Sequence, residues 1–340
     1  MLVLGIESSC DECAAALVED GRRIVSNIVA TQIEIHRPYS GVVPEIASRK
    51  HTEWIIDVVR RAYAEAGVAE KDVDALAVTN RPGLVGSLLV GLSFTKGYAL
   101  ATGKPFVGVD HVRAHLYAAH LAQDIDYPYL GLLVSGGHTM ICRVDAFNEI
   151  EVMGTTIDDA CGEAFDKVAK YYQYGFPGGS VIDKLAQSGD SRAFHFPGPN
   201  LHKGEHRYDV SYSGLKTAVI NQLDQFWDRD YEKSPENIAA GFQKTAINIL
   251  LKRLYRAQKD TGLTRIVAGG GVAANSYLRS ALNKKIEEAG WEVIFPPLHL
   301  CTDNAAMIAG LGYHYLTAGE ASDLSLNASA RVKAFRRSYP

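Results

Sequence analysis

The chain of 340 residues is long enough for about two domains. Its composition, 47% apolar and 22% charged, excludes a disordered or collagen-like polypeptide. Its 35 basic and 39 acidic residues give a formal net charge of −4. This charge argues against a protein that binds nucleic acid by itself, but it allows one that binds nucleic acid together with a basic partner. Five scattered cysteines, an N-terminus without a basic region and the lack of an apolar run of about 18 residues predict a reduced, cytoplasmic protein without a membrane segment.

The predicted elements begin with a β-hairpin pattern that occurs twice. An apolar strand over 2–6, a small polar turn and a strand over 14–18 lead through Glu19-Asp20-Gly21 to a third strand over 23–28. A similar series follows Pro128, with strands over 130–134, 140–144 and 149–153. The repetition predicts a duplicated hairpin start, each copy with a short Ser or Gly loop after its first strand.

Helices and short strands alternate after each hairpin. Helices are predicted over 44–66, 84–102, 111–122, 160–171, 213–227, 236–259, 273–289 and 302–316, and strands over 75–79, 107–109, 266–268 and 292–295. This alternation predicts α/β layers around mixed sheets. Because no Pro- or Ser-rich linker separates the halves, we expect two packed domains with a cleft between them.

The motif His111-Val112-Arg113-Ala114-His115 is a candidate metal site. Residues four apart on a helix share a face, with Cβ atoms about 5–6 Å apart, which suits two imidazoles on one ion. The alternative is that one histidine packs in the core while the other faces water. Asp303 is a candidate third ligand, and at the start of an apolar helix it is equally a candidate N-terminal cap. Val112 stands where a zincin needs its catalytic Glu, which argues against a metalloprotease.

Four loops of small residues are candidates for nucleotide binding. They lie at 7–9, 135–139, 177–180 and 269–271. Such loops let backbone N–H groups approach phosphates, although tight turns use the same residues. Four of them in one α/β chain predict a nucleotide held between domains, and none matches a Walker A or dinucleotide fingerprint. Asn275, after the triple glycine, is interpreted as a helix cap or a nucleoside ligand.

Two acidic patterns leave alternatives open. Asp159, Glu163, Asp166 and Lys167 are spaced to share a helix face, and the usual interpretation is a solvated face with ion pairs. Cys10 and Cys13 form a CxxC without a second pair, which we interpret as a chance occurrence rather than a redox or zinc motif. The two carboxylates between them, Asp11 and Glu12, are the more interesting candidates because they lie beside the first loop.

These patterns occur in a series of ordered segments. The segments are SCDE (9–12), GVVPEIASRKH (41–51), PGLVGSLLVG (82–91), HVRAH (111–115), SGGHT (135–139), DDACGEAFDK (158–167), PGG (177–179), YSGLKT (212–217), GGGVAAN (269–275) and CTDNAAM (301–307). Over essentially its full length the chain resembles the bacterial TsaD family of tRNA N6-adenosine threonylcarbamoyltransferases. The resemblance implies the duplicated actin/sugar-kinase/Hsp70-like (ASKHA) α/β fold, with two RNase H-like domains and an interdomain cleft. It assigns 1–110 plus 302–340 to the first domain and 111–301 to the second.

The resemblance also implies the reaction and the site. The family transfers threonylcarbamoyl from threonylcarbamoyl-AMP to N6 of adenosine 37 in tRNAs reading codons that begin with adenine. His111, His115 and Asp303 match its metal ligands, usually for Fe²⁺, with Zn²⁺ as the alternative. The adenylate site would comprise Ser135, Gly136, Gly137, His138, Thr139, Asp166, Gly179, Asp183 and Asn275. Asp11 or Glu12 is a candidate to accept the proton of the adenosine amine, the alternative being an exposed acid.

The implied partners are tRNA, the paralogue TsaB as a heterodimer, the ATPase TsaE, and TsaC as the source of the intermediate, with no membrane involved. The basic segments 203–207 and 331–337 are candidate tRNA contacts or simply solvated surface.

Three residues depart from the family pattern: Arg81 stands for Gly, Cys13 for Thr and Ser180 for Pro. Arg81 would crowd a tight turn or add a phosphate contact. The alternative functions are a small-molecule kinase of the same superfamily and a metalloprotease, an older label of the family.

Overall fold

A computed structural model describes residues 1–199, 201 and 206–331 of the chain. These residues divide into two compact units, 1–125 with 296–331, and 126–295. The boundaries differ from those expected at 110 and 302, since the helix that begins at His111 packs on the last helix of the chain and so lies in the first unit. Of the two basic segments, 203–205 and 332–337 lie outside the described residues. Among the described residues, no helix combines the length and the apolar character needed to cross a bilayer.

The first unit is built on a mixed sheet. Its strands are β1 (Leu2–Glu7), β2 (Glu12–Glu19), β3 (Arg23–Thr31), β4 (Ala75–Arg81) and β5 (Phe106–Asp110). β1 pairs antiparallel with β2 and β2 with β3, whereas β1–β4 and β4–β5 are parallel, which gives the order β3-β2-β1-β4-β5. The β2–β3 turn has Asp20 and Gly21 at its centre, both at positive φ, and is closed by the hydrogen bond from the Arg22 N–H to the Glu19 carbonyl at 3.1 Å. The predicted hairpin start is confirmed.

Helices connect and cover this sheet. They are α1 (Ile33–His36), α2 (Pro44–Ala66), α3 (Val85–Thr102), α4 (His111–Tyr117), α10 (Leu298–Cys301) and α11 (Ala305–Thr317). α2 has Pro44 in its first turn, where the missing N–H costs nothing, and ends at Gly67 in the left-handed conformation. α11 is apolar nearly all round because it packs against β1, β2 and β4.

The second unit repeats this arrangement. Its strands are β6 (Tyr129–Val134), β7 (Thr139–Ala146), β8 (Glu149–Thr155), β9 (Arg265–Gly269) and β10 (Glu292–Ile294). β6–β7 and β7–β8 are antiparallel, β6–β9 and β9–β10 are parallel, and the order is β10-β9-β6-β7-β8. Strand for strand, this is the topology of the first sheet. The prediction of a duplicated α/β fold is therefore confirmed.

The helices of the second unit are α5 (Cys161–Tyr171), α6 (Gly178–Ala186), α7 (Ser213–Asn221), α8 (Pro235–Thr261) and α9 (Ser276–Ala289). α6 was not predicted, since its Pro-Gly-Gly start is typical of a loop. α7 is shorter than the predicted helix over 213–227, because the chain passes into a 3-10 turn at Leu223–Gln225. α4 is shortened in the same way, with a 3-10 turn at Ala118–Leu121.

All five cysteines lie within the described residues, and none of them forms a disulfide bond. Burial raises the pKa of Cys13, Cys142 and Cys161 to about 12, so these thiols stay protonated and unreactive at neutral pH. Cys13 packs in the core of the first unit, where an apolar side chain of this size fits.

Gly5 allows α11 to lie directly on β1. A Cβ at Gly5 would lie 2.4 Å from the carbonyl oxygen of Ala305 and 2.7 Å from the backbone N of Ala309. Both are backbone atoms of a packed helix, so the clash cannot be relieved by a rotamer change. We expect Gly5→Ala to lower the free energy of unfolding by about 1–3 kcal/mol, measured by urea denaturation.

Gly97→Ala is the matched control. Gly97 is exposed in the interior of α3, and a Cβ there meets nothing within 4 Å. The same substitution at this position should raise stability by about 0.5–1 kcal/mol, because Ala favours the helix. Equal effects of the two substitutions would contradict the close packing of α11 on β1.

Candidate functional site

Helix α4 presents the two histidines of the HVRAH motif. β5 ends at Asp110, whose Oδ1 accepts hydrogen bonds from the N–H groups of Val112 (3.0 Å) and Arg113 (3.2 Å) and so starts the helix. His111 and His115 follow one turn apart on the buried side, only 6% and 1% exposed. The alternative in which one histidine faces water is therefore wrong.

The two imidazoles and Asp303 converge. The Nε2 atoms of His111 and His115 are 3.1 Å apart, and Asp303 Oδ1 lies 3.0 Å from His115 Nε2 and 3.5 Å from His111 Nε2. Two facing Nε2 atoms share at most one proton, whereas two nitrogens about 2.0–2.1 Å from one tetrahedral ion lie about 3.4 Å apart. Among the described residues this is the group of His, Cys, Asp and Glu side chains close enough to hold a metal. The residues fit a divalent ion.

Asn304 takes over one of the roles expected of Asp303. The Asn304 side chain accepts a hydrogen bond from the N–H of Met307 at 3.1 Å and is the N-cap of α11. Asp303 precedes the cap by one residue, and its carboxylate contacts the histidines instead. The cap fixes the backbone next to Asp303, which holds the carboxylate against α4.

Glu7, at the end of β1, holds His111 in one orientation. Its fully buried carboxylate accepts hydrogen bonds from Ser9 N–H (2.5 Å) and Thr79 Oγ1–H (2.6 Å). Its Oε2 lies 3.0 Å from Nδ1 of His111. When a carboxylate accepts a hydrogen bond from the Nδ1–H of a neutral imidazole, Nε2 is available as a metal ligand. Glu7 was missed by the sequence analysis, which treated 7–9 only as a small polar loop.

The charges of this group shift the pKa values of its members in opposite directions. Burial disfavours protonation of His111, but the negative charges of Glu7 and Asp303 outweigh it and raise the pKa of His111 to about 9. Burial, followed by the nearby His111, lowers the pKa of His115. Burial disfavours the Glu7 carboxylate, yet His111 lowers the pKa of Glu7. Without a bound cation, Glu7 and His111 therefore form a buried ion pair beside a neutral His115, and a cation at His111 Nε2 would displace the proton from that nitrogen while Nδ1–H stays on Glu7.

The loop after β1 carries Asp11, leads into Glu12 at the start of β2, and is held from several sides. His51, fully buried on α2, donates its Nε2–H to the carbonyl of Cys10 at 2.9 Å. The carbonyl of Asp11 accepts the Gln32 N–H at 3.1 Å. Asp11 is 9% exposed, so the alternative of an exposed acid does not apply to it. His51, the last residue of the GVVPEIASRKH segment, thereby gains a positioning role that the sequence did not predict.

Glu12 differs from Asp11 in its surroundings. Its Oε1 accepts a hydrogen bond from Thr31 Oγ1 at 3.1 Å. Burial, together with the neighbouring negative charge of Asp11, raises the pKa of Glu12 well above its usual range. The surroundings of Glu12 therefore favour its protonated form.

In the second unit, the loop 135–139 meets the start of α5. The carbonyl of Ser135 accepts the Gly162 N–H at 3.2 Å, and Thr139 Oγ1 accepts the Cys161 N–H at 2.8 Å. The loop closes on itself through the His138 N–H, which donates to Ser135 Oγ at 3.1 Å. Gly136 and Gly137 are exposed, and a Cβ on either would meet nothing within 4 Å. The backbone of these two glycines is open to a ligand.

The remaining adenylate candidates form a connected series in the same unit. Asp166 on α5 accepts the Gly178 N–H at 2.8 Å, which fixes the start of α6. Asp183, one turn after Gly179 on α6, accepts hydrogen bonds from Asn275 Nδ2 (3.2 Å) and Ser276 Oγ (2.7 Å).

Asn275 is the N-cap of α9, since its Oδ1 accepts the Leu278 N–H at 3.0 Å. Its Nδ2 also donates to Gln243 Oε1 at 3.3 Å, a contact with a residue that the sequence did not single out.

The acidic cluster of the DDACGEAFDK segment separates into two parts. Lys167 Nζ contacts Asp159 Oδ1 (2.6 Å) and Glu163 Oε1 (2.8 Å), and Lys216 contacts the other oxygen of Asp159 (2.6 Å). This is the ion-paired face that was expected, although Asp159 precedes α5. Asp166 does not join it, because its carboxylate is directed to Gly178.

The departures at Arg81 and Ser180 have local partners. Arg81 Nε lies 3.3 Å from Oδ2 of Asp110, the cap of α4, and therefore supports the helix that carries the histidines. Ser180 Oγ donates to the carbonyl of Pro177 at 3.0 Å within the first turn of α6.

Comparisons with known proteins bear on the family of the chain. A family model described as TsaD: tRNA N6-adenosine threonylcarbamoyltransferase matches residues 23–310. The tRNA N6-adenosine threonylcarbamoyltransferase of Treponema denticola is 65% identical over 337 residues, covering 99% of this chain and 99% of that protein. The protein of the same name from Treponema pallidum is 54% identical and covers 99% of this chain and 95% of its own.

Among solved structures, full-length HypF in its phosphate- and nucleotide-bound form aligns with a TM-score of 0.64 at 14% identity, over 94% of this chain and 46% of HypF. At that identity the likeness concerns the fold, which is the duplicated ASKHA-like fold. Neither the kinase nor the metalloprotease alternative finds support in these comparisons. Because the family model covers most of the chain and full-length relatives share more than half of its residues, the chain belongs to the TsaD family of tRNA N6-adenosine threonylcarbamoyltransferases.

Proposed function

We propose that this protein transfers the threonylcarbamoyl group from threonylcarbamoyl-AMP to N6 of adenosine 37 in tRNAs reading codons that begin with adenine. The observation that carries the proposal is the buried His111–His115–Asp303 group in a member of this family. The N6 amine attacks the carbamoyl carbonyl carbon. The bond from that carbon to the phosphate oxygen breaks, AMP leaves with the electron pair, and the amine loses one proton. Since the mixed anhydride is already activated, no nucleophilic side chain is needed.

His111, His115 and Asp303 would hold the metal. Two imidazoles and one carboxylate are the donor set of non-haem Fe²⁺ centres and also suit Zn²⁺, and we propose Fe²⁺. The ion would supply positive charge to an oxygen of the threonylcarbamoyl group. Glu7 would keep the proton of His111 on Nδ1, so that Nε2 keeps its lone pair for the metal.

Residues of the second unit would bind the adenylate. The open backbone at Gly136 and Gly137 offers N–H groups to the phosphate, and the N-terminus of α6 at Gly178 and Gly179 favours an anion. Asp183 and Asn275 are already hydrogen-bonded to each other, which favours a preorganised site for the nucleoside.

The proton of the adenosine amine would go to Asp11 rather than to Glu12. A base must be ionised, and burial and the charge of Asp11 raise the pKa of Glu12 and so favour its protonated form. Glu12 would then act as a hydrogen-bond donor beside Asp11. This assignment rests on the burial of Asp11 in the loop that His51 and Gln32 hold.

We further propose that the protein works in the cytoplasm with TsaB and TsaE, using the intermediate made by TsaC. The net charge of −4 supports the view that other proteins contribute to tRNA binding.

Removing a metal ligand should abolish both metal binding and transfer. We expect His115→Ala to lose the bound ion, measured as metal per chain by plasma mass spectrometry, and to lose single-turnover transfer of labelled threonylcarbamoyl to unmodified tRNA in the presence of the partner proteins. Glu7→Gln should weaken metal affinity by about 10–100-fold, because it removes the charge that orients His111. The control is His299→Ala, at an exposed histidine of α10, which should leave both metal content and transfer unchanged. Transfer by a folded, metal-free His115→Ala protein would refute the role of the metal.

Side chains added at the open glycines should block the adenylate without disturbing the fold. In the double variant Gly136→Ala and Gly179→Ala, the new Cβ atoms meet nothing of the protein within 4 Å, so the melting temperature should stay within about 2 °C. The KM for threonylcarbamoyl-AMP should rise several-fold because the ligand lies against this backbone. Gly97→Ala serves as the control. An unchanged KM would remove both glycines from the adenylate site.

Asp11 and Glu12 should respond differently to amide substitution. Gln resembles a protonated Glu, so Glu12→Gln should retain transfer within about threefold, whereas Asp11→Asn removes the base and should lower the rate about 10²–10⁴-fold. The measurement is the single-turnover rate at saturating substrates. A severe loss in Glu12→Gln with normal rates in Asp11→Asn would reverse the assignment.

A further inference from the structure

Helix α8 carries a basic stretch on the second unit. Over residues 244–259 it has five Lys or Arg side chains and no acidic one. Lys244, Asn248 and Lys252 recur at intervals of four, so they lie along one face, and we call these three residues the basic stripe. With a rise of about 1.5 Å per residue, the two lysines lie about 12 Å apart along the helix axis. Arg256 continues the same spacing, with its Nη1 donating to the carbonyl of Arg207 at 3.4 Å.

The basic stripe forms one wall of a groove of about 250 Å³. The segment containing Phe194, His195 and Phe196 lies opposite. The two phenylalanine rings are stacked with centroids 5.4 Å apart and are 2% and 7% exposed, so they give the groove a rigid floor. His195 is exposed and adds a polar imidazole at the rim.

Within the described part of the chain, the two lysines of the stripe form no ion pair. Several other lysines of this unit face carboxylates, since Lys284 and Lys285 contact Glu288 and Lys233 contacts Asp224, although Lys184 and Lys259 have no ion pair among the described residues. For Lys244 and Lys252 as well, no carboxylate of the described residues lies within 4.0 Å. The charge of Lys244 acts on the carboxylate of Asp190, but that carboxylate accepts hydrogen bonds from Arg192 Nε (3.1 Å) and Nη2 (2.6 Å). The ammonium groups are thus available to an external anion.

We propose that the basic stripe binds the phosphodiester backbone of the tRNA substrate, an inference that rests on the proposed function. Evenly spaced cations match a chain of evenly spaced phosphates, and the Asn248 amide can bond a phosphate or a ribose hydroxyl. An RNA fits better than an acidic protein. Protein interfaces are depleted of Lys and need buried apolar anchors, whereas the aromatic rings here are already packed inside. In a chain of net charge −4, a local cationic groove also gives the substrate a place to dock.

Steady-state transfer with the full chain and its partner proteins tests the inference. The variant Lys244→Gln with Lys252→Gln should raise the KM for tRNA about tenfold, from two lost charge contacts, with kcat and the KM for threonylcarbamoyl-AMP unchanged. The slope of log KM for tRNA against log salt should fall by about 1.4–1.8, since each phosphate contact contributes about 0.7–0.9. Lys252→Gln alone, at an exposed position, should give half of that change in slope. The control, Lys284→Gln with Lys285→Gln on α9, should change neither quantity.

The outcomes separate this inference from the proposed function. If the wild type transfers threonylcarbamoyl and the stripe variant has the same KM and salt slope for tRNA, the inference is wrong and the proposed function stands. If that unchanged KM comes with a loss of activation by a partner protein, the stripe contacts protein instead of RNA. If the wild type modifies no tRNA, the proposed function fails and the inference with it.

Discussion

The first unit depends on a carboxylate that is buried where a charge is costly. Glu7 ends the central strand β1 with no exposed surface, and an unpaired charge there would cost several kcal/mol. Its oxygens are satisfied by Ser9, Thr79 and His111. These partners come from the loop after β1, from β4 and from α4, so one side chain fixes the relative positions of the elements that carry the site. The proton it holds on His111 Nδ1 turns the other nitrogen toward His115 and Asp303.

Duplication explains why the two units supply different chemistry from one topology. In each sheet, the first strand lies between its antiparallel partner and a parallel neighbour, and the loop after it emerges at the same position of the sheet. In the first unit this loop follows Glu7 and carries Asp11. In the second unit, the corresponding loop follows Val134 and consists of Ser135, two glycines, His138 and Thr139. Acidic and imidazole groups suit a cation, whereas open glycine backbone suits an anion.

Much of the fold could be predicted from the sequence because its signals are local. Apolar runs mark the strands, Asp20-Gly21 marks the turn of the first hairpin, and Pro44 and Gly67 mark the ends of α2. The histidine pair was also a local signal, four residues apart on one helix. Helix starts were less accurate: α9 and α11 begin three residues later than predicted, because Asn275 and Asn304 cap them. α6 was missed because its first residues, Gly178 and Gly179, have weak helix propensity and are fixed instead by the distant Asp166.

What the sequence could not give is any contact between residues far apart in the chain. Glu7 is separated from Thr79 by 72 positions and from His111 by 104, and His51 from Cys10 by 41. No periodicity connects such pairs, so neither Glu7 nor His51 was a candidate. The sequence also left two roles open for Asp303, as a metal ligand or as the cap of α11. The choice depends on which of the adjacent residues Asp303 and Asn304 caps the helix. The backbone decides that question: Asn304 takes the extended N-cap conformation and receives the Met307 N–H. Because the neutral amide does the capping, the charged neighbour is directed to the histidines, where its charge is needed.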